Sequence, residues 1–399
     1  MQAEIEKPVK TYKKKVLFYC HSFYPQTGGY VHAFRNLIDA ILDYQSDIAI
    51  TVMTPQPIDE TVDELKRDRL EIVRLKPKTN IRKICYFVNE YSYAKAVSRK
   101  FKDESFDLLF IETFEPAFFI QSLDRNILDR TAVRIHSTTE TELTFFGRRV
   151  DFFIRKYLTT TFVAKKINWI ISTNSYHISF AKKYFFKENL IDIGSRSFFI
   201  LPNPVNITTE TQRPPNQRIR LISLGRMDYL GNNQKGFTDL IYALRLLPKS
   251  VHDKLDIKII GKGELRDSFK RLCSHLPNII FIEELPHEAV MRELQEADAV
   301  VLPSRYEGLS MFALEGLATG NVCIFAKTGG LIDMVEDNGM LFEPQDIEAL
   351  ANALTALSHL THDEVSEMKK ASRRLHAQKF TPEIVGKKFM VIYDSIVSS

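Results

Sequence analysis

The chain is poor in cysteine and has no long apolar run, and each shortage excludes a class of protein. Only four of its 399 residues are cysteine: Cys20, Cys85, Cys273 and Cys323. They are scattered, form no Cys-x-x-Cys pair and stand at no zinc-like spacing from histidine. No apolar stretch reaches the roughly 18 residues that a membrane-spanning helix needs. The opening "MQAEIEKPVKTYKKK" lacks the apolar core of a secretory signal. A reduced, cytoplasmic protein is therefore expected. With 44% hydrophobic and 26% charged residues the composition is that of a soluble globular chain. At 399 residues it is long for one domain and comfortable for two.

The net charge of +4 is mild, but its distribution is uneven. Nine basic residues lie between Leu143 and Lys187: Arg148, Arg149, Arg155, Lys156, Lys165, Lys166, Lys182, Lys183 and Lys187. Asp151 is the only acid among them, and Phe145, Phe146, Phe152, Phe153, Tyr157, Phe162 and Trp169 are interleaved. Such a segment suits an anionic membrane surface or single-stranded nucleic acid, and equally a packed helix with a solvated basic face.

Short β-branched runs alternate with helical patterns along the chain. "KVLFYC", "DIAITVMT", "LEIVRL", "DLLFIET", "TAVRIHS", "NWIISTNS" and "FFILP" form one series; "IRLISLGRM", "LDIKIIGKG", "NIIFIEEL", "DAVVLPS" and "NVCIFA" form a second. Near-continuous apolar strands between helices imply parallel sheets covered on both faces. Two series imply two doubly wound α/β domains. The polar, Pro-containing stretch Asn203–Gln217 reads as the connection between them. The expected division is 1–205, 206–380 and a terminal helix over 381–399. No repeat period or low-complexity tract is present.

Ligands of such sheets bind where strands end, so those loops carry the functional information. After "VLFYC", Gly28 and Gly29 open an amphipathic helix; they serve either as a turn or as a place where bare backbone meets a phosphate. After "IRLISL", Arg226 stands at the strand end and Lys235 directly precedes Gly236 and a helix. Each alone is a surface cation; together they suit a diphosphate, one as a fork and one as a point charge. "GKGELRDSF" lacks the third glycine of a dinucleotide fingerprint and reads as a strand-to-helix turn. In "SRYEGLSMFALEGLATG" a strand end is followed by Glu307, an N-cap at Ser310 and a helix carrying Glu315. The amides of Met311 and its neighbours lack intrahelical partners and face the positive end of the helix dipole. They would hold a phosphate, with one carboxylate on either side for sugar or ribose hydroxyls.

In these residues the chain resembles the retaining glycosyltransferases of the GT-B fold, glycosyltransferase family 4. The resemblance rests on "YPQTGGYVHAFRNL", "RIHSTTE", "LPNPVN", "SLGRMDY…NNQKGFTDLIYAL", "IIGKGELRDSF" and "VLPSRYEGLSMFALEGLATGNVCIFAKTGG". It implies two Rossmann-like domains, the first facing the acceptor and the second the donor, with the terminal helix returning to the first. It further implies transfer of a sugar from a UDP- or GDP-sugar co-substrate, with retained configuration, no cofactor and no required metal. By position, Glu307 takes the place that contacts the donor sugar and Glu315 the place that holds the ribose. Arg226 and Lys235 take the diphosphate-neutralising places, Ser310 and Met311 the phosphate-binding backbone, and Gly29 the glycine near the phosphates. His136 takes the strand-end position beside the reaction centre. The chain departs from the family where Leu309-Ser310 replaces a frequent Phe-Gly, where Gly316 replaces alanine, and where Glu283 stands near the nucleobase.

The chemistry expected from the resemblance is same-face attack. Arg226, Lys235 and the helix amides would stabilise charge building on the leaving diphosphate. Glu307 would orient the sugar, and His136 would hold sugar or acceptor or relay a proton. The implied partners are a nucleotide sugar, a glycan, lipid-linked or protein acceptor, and an anionic membrane surface, without nucleic acid. Two other classes compete. A nucleotide-sugar epimerase on a similar fold would turn over UDP-GlcNAc without acceptor. A non-catalytic basic binding protein gives no reason for Arg226, Lys235, Glu307 and Glu315 to meet around one helix start.

Overall fold

The computed structural model describes residues 12–26, 28–57, 67–79, 85–112, 117–136, 153, 157–186, 191–206 and 218–399. Among them are two all-parallel sheets. The first contains β1 (Lys14–Tyr19), β2 (Ile48–Pro55), β3 (Leu70–Leu75), β4 (Leu108–Ile111), β5 (Thr131–Ile135), β6 (Trp169–Ser172) and β7 (Ser197–Ile200), in the order β3-β2-β1-β4-β5-β6-β7. The second contains β8 (Ile219–Leu224), β9 (Leu255–Ile260), β10 (Ile279–Ile282), β11 (Ala299–Leu302), β12 (Val322–Ala326) and β13 (Gly339–Phe342), in the order β10-β9-β8-β11-β12-β13.

Central strands such as β4, β11 and β12 are buried along their whole length, as expected of sheets with helices on both faces. The second sheet has one strand more than the sequence pattern suggests. β13 is only "GMLF" and begins with glycine, so its apolar run is too short to stand out, yet it pairs in register with Cys323–Ala326 of β12.

Both sheets reverse direction beside their first strand, and this fixes where a ligand can sit. In the first sheet β1 lies between β2 and β4; in the second β8 lies between β9 and β11. Crossover helices leave opposite faces at those points and open a crevice at the strands' carboxyl ends. The loops emerging there begin at Cys20 and Glu112 in one sheet and at Gly225 and Pro303 in the other.

The terminal helix Pro382–Val397 lies against the helix Gly29–Tyr44 of the first domain. Gly386 permits the approach, since a Cβ there would come within 2.7 Å of the Ala40 carbonyl. Phe389 joins Phe18 and Phe110 in that core, and the Tyr393 hydroxyl donates to Asp107 at 2.8 Å.

Candidate active site

The second domain presents its candidate residues on the β8 and β11 loops. Glu307 is buried and accepts from the Ser304 hydroxyl at 2.9 Å and from the Lys235 ammonium. Burial of a carboxylate requires such a partner, and Lys235 supplies it. Lys235 is placed by its surroundings. The next residue, Gly236, is in the left-handed region at φ 68° and packs so closely on the Pro303 carbonyl that a side chain would collide with it. Arg305 secures the same junction: its guanidinium forks onto Asp239 at 2.8 and 3.0 Å and donates to Asn233 at 3.1 Å. Arg226 is largely exposed, with the Asp228 carboxylate 3.8 Å away. Lys235 is thus committed to Glu307 in this structure, while Arg226 projects from the β8 end.

Ser310 caps the helix Met311–Thr319 as expected, accepting from the Ala313 amide at 3.3 Å. The backbone ahead of the cap is clamped by a second glycine, Gly329, at φ 51°, where a Cβ would strike the Glu307 carbonyl. Gly330 donates its amide to the Gly308 carbonyl at 2.7 Å. Glu315 is buried on the same helix, but its carboxylate accepts from His287 Nε2 at 2.9 Å, in a cleft of about 600 Å³ that His32, Asn36, Val205 and Met291 also line. Lys235 and Glu307 do not line that cleft. The structure therefore joins Lys235 to Glu307 and places Glu315 with His287.

In the first domain, His136 follows β5 and its Nε2 bonds to Glu112, which follows β4. Glu112 and Arg134 are fully buried and paired at 3.0 Å; Arg134 also donates to the Leu201 carbonyl and to Asn203, both at 2.8 Å. Burial raises the Glu112 carboxyl, but Arg134 and His136 outweigh it and hold it below the ordinary carboxylate range. Burial is the largest influence on His136 and holds its imidazole below the usual range, against the pull of Glu112. The imidazole is accordingly neutral near pH 7. Tyr30, directly after Gly29, donates to the Glu112 carbonyl at 2.5 Å and meets the His136 ring edge-on at 5.0 Å. Gly28 and Gly29 face open space, with no atom within 4 Å of a Cβ built on either. Packing does not demand glycine at position 29; a ligand approaching the backbone would.

Two contacts bring the domains together beside these groups. Asn174 caps the helix Ser175–Ala181 and donates to the Gly308 carbonyl at 3.2 Å, one residue from Glu307. Ser175 donates to Asp333 through its amide at 2.8 Å and its hydroxyl at 2.5 Å.

A family model described as glycosyl transferases group 1 matches residues 208–375. That segment, less than half of the chain, is similar to the glycosyl transferases group 1 family. It contains Arg226, Lys235, Glu307, Ser310, Met311 and Glu315. A glycogen synthase of Mycobacterium tuberculosis is 32% identical over 151 residues, 37% of this chain and 35% of that protein. The chain covers about a third of the length of the first curated relatives it matches. Solved structures extend the likeness to the whole fold. Sucrose-phosphate synthase of Thermosynechococcus elongatus superposes with a TM-score of 0.75 at 17% identity, over 97% of this chain and all of that one. An Anabaena protein solved with UDP and glucose gives 0.66 at 16% identity, over 96% and 100%. The chain has the two-domain GT-B fold.

Several residues of the site are not legible as such from the group 1 motifs. Ser304 and Arg305 lie within the quoted motif but read as loop. Glu112 ends an apolar strand and Asn174 follows another, so a polar residue at a strand end was their only signal. His32 and His287 carry no local mark, since their meeting depends on how the two domains sit.

Proposed function

We propose that this protein is a retaining glycosyltransferase that moves a sugar from a UDP- or GDP-sugar to an acceptor hydroxyl in glycan, glycolipid or surface-polymer synthesis. The observation that carries the reading is the buried Glu307, held between Lys235 and Ser304 ahead of a capped helix and one residue from the interdomain contact at Gly308. The Anabaena structure with UDP and glucose supports a nucleotide-sugar donor. In this reading residues 1–205 form the acceptor side, 206–380 the donor side, and 381–399 the return helix.

Donor binding transfers Lys235 from Glu307 towards the diphosphate, joined by Arg226 and the amides of Ser310 and Met311. Glu307, released from its cation, turns to the sugar hydroxyls. As the glycosidic bond breaks, the leaving phosphate accepts the acceptor's proton on the same face and bonding to the new oxygen follows there. Neutral His136, held by Glu112, serves the sugar or the acceptor as a hydrogen-bond partner. The cations of the site are side chains, so the reading calls for no metal in the chemical step and no cofactor. Incubation with intact UDP- and GDP-sugars, read by mass spectrometry, tests it. Release of nucleotide that rises with acceptor supports transfer; UDP-GlcNAc converted without acceptor would indicate an epimerase, and no turnover or nucleotide binding a non-catalytic protein.

We further propose that the protein is cytoplasmic, that its acceptor is lipid-linked, and that the first domain meets an anionic membrane face. Phe87 and Tyr91 on the helix Cys85–Asp103 are exposed, as are Phe153 and Tyr157. Arg148, Arg149, Arg155, Lys156 and Lys187 lie outside the described residues. No helix among the described residues is long and apolar enough to span a membrane. Each engaged cation contributes about 1 kcal/mol at a charged bilayer, giving reversible, salt-sensitive attachment. Sedimentation with anionic and neutral vesicles decides between this and a soluble acceptor. Excess binding to anionic vesicles, lost when Arg148, Arg149, Arg155 and Lys156 are changed to glutamate, is the expected result.

A further inference from the structure

We propose that His32, His287 and Glu315 form a binding site for a divalent transition-metal ion of the zinc class, joining the two domains across the cleft. Each residue offers one ligand atom, and these atoms lie within 4.8 Å of one another. They come from three helices: Gly29–Tyr44 of the first domain, and His287–Glu296 and Met311–Thr319 of the second. The two imidazole rings lie with centroids 4.9 Å apart and planes tilted by 57°, and His287 Nε2 is 2.9 Å from Glu315 Oε1.

Two imidazoles and a carboxylate are a donor set that zinc takes with its fourth position open, here towards the cleft. Imidazole nitrogen favours zinc, copper or nickel over magnesium or calcium. Asp39 and Asp43 of the cleft wall are engaged by Arg67, and Glu288 lies on the wall next to His287; the carboxylate whose oxygen comes within ligand range of both histidines is that of Glu315. Bonds of about 2.0–2.1 Å at tetrahedral angles put ligand atoms roughly 3.4 Å apart. The widest separation, at most 4.8 Å, must therefore close by up to about 1.4 Å while the 2.9 Å pair of His287 and Glu315 opens slightly, movements that the half-exposed His287 side chain can supply.

Glu315 cannot serve a metal and a ribose freely at once, so the ion would compete with the donor; this consequence rests on the function proposed above, whereas the metal site itself does not. The test is equilibrium dialysis of the full-length, chelator-stripped protein against buffered micromolar Zn²⁺, with Co²⁺ as a spectroscopic substitute. One ion per chain is expected, with visible Co²⁺ bands of a four-coordinate site. His32→Ala and His287→Ala should each weaken it by at least about tenfold, and His287→Gln keeps the fold testable if either alanine variant fails to fold. No uptake by the wild type, or equal uptake by folded variants, overturns the proposal. Calorimetry with UDP and GDP, with and without Zn²⁺, separates the two readings. Zinc that binds and weakens the nucleotide supports both. Zinc that binds without that effect keeps the metal site and removes Glu315 from the ribose. Nucleotide binding without zinc uptake overturns the metal site alone.

Discussion

Replacing Lys235 with alanine perturbs two equilibria whose sizes can be worked from the structure. Its ammonium is the cationic partner of Glu307, whose carboxylate is buried and otherwise bonded to the Ser304 hydroxyl. Stranding a fully buried charge costs about 3–5 kcal/mol, but Lys235 is about one-fifth exposed and solvent can reach its place. A loss of about 1–3 kcal/mol in folding stability is therefore expected for Lys235→Ala. Much of it should return in Lys235→Ala/Glu307→Gln, because the neutral amide needs no cation and still accepts from Ser304. The same substitution removes a charge-assisted contact to the donor diphosphate. That loss, about 2–5 kcal/mol, corresponds to roughly 30-fold to several-thousand-fold weaker nucleotide binding, and the second substitution should not restore it. Urea titration reads the first effect and calorimetry with UDP and GDP the second. If Lys235→Ala keeps both its urea midpoint and its nucleotide affinity, the ion pair is incidental and the donor lies elsewhere. If the double variant regains nucleotide affinity, Lys235 acts only by holding Glu307.

Three further outcomes follow from the same geometry. Arg226→Ala and Glu315→Ala should both weaken free nucleotide, whereas Glu307→Ala should leave it bound and slow turnover by about two to three orders of magnitude; equal affinity losses for Glu307→Ala and Glu315→Ala would contradict that division. Glu112→Gln strands the fully buried Arg134 and should cost about 3–5 kcal/mol in denaturant titration. Adding Arg134→Met should recover part of that loss, and a single variant with wild-type stability would show that Arg134 is satisfied by Leu201 and Asn203 alone. His177 is pushed down to about 3 by burial and then by His136, from an ordinary value near 6.5. The unfolded chain takes up this proton first, so stability falls as pH drops below about 6.5, by about 2 kcal/mol at pH 5. His177→Asn should flatten that part of the melting-temperature profile, and an unchanged slope would place the titration on other groups.

The parallel sheets are legible in the chain, because strands buried on both faces leave near-continuous apolar runs between helical segments. The capped helix at Ser310 is legible too, since hydroxyl and amide are three residues apart and the geometry is local. Strand β13 escaped because four residues starting with glycine give no pattern; its place comes from register against β12. Which side chains meet is a matter of how the elements pack in space. The sheet reversals put the β8 and β11 loops side by side, so Lys235 reaches Glu307, 72 positions away, while Arg226 stays in solvent. Domain placement set Asn174 on Gly308 and His32 against His287, and packing within the second domain gave Glu315 an imidazole partner. Hydrogen bonds and ion pairs act over a few ångströms of space, and the chain separation they bridge leaves no mark on the residues between.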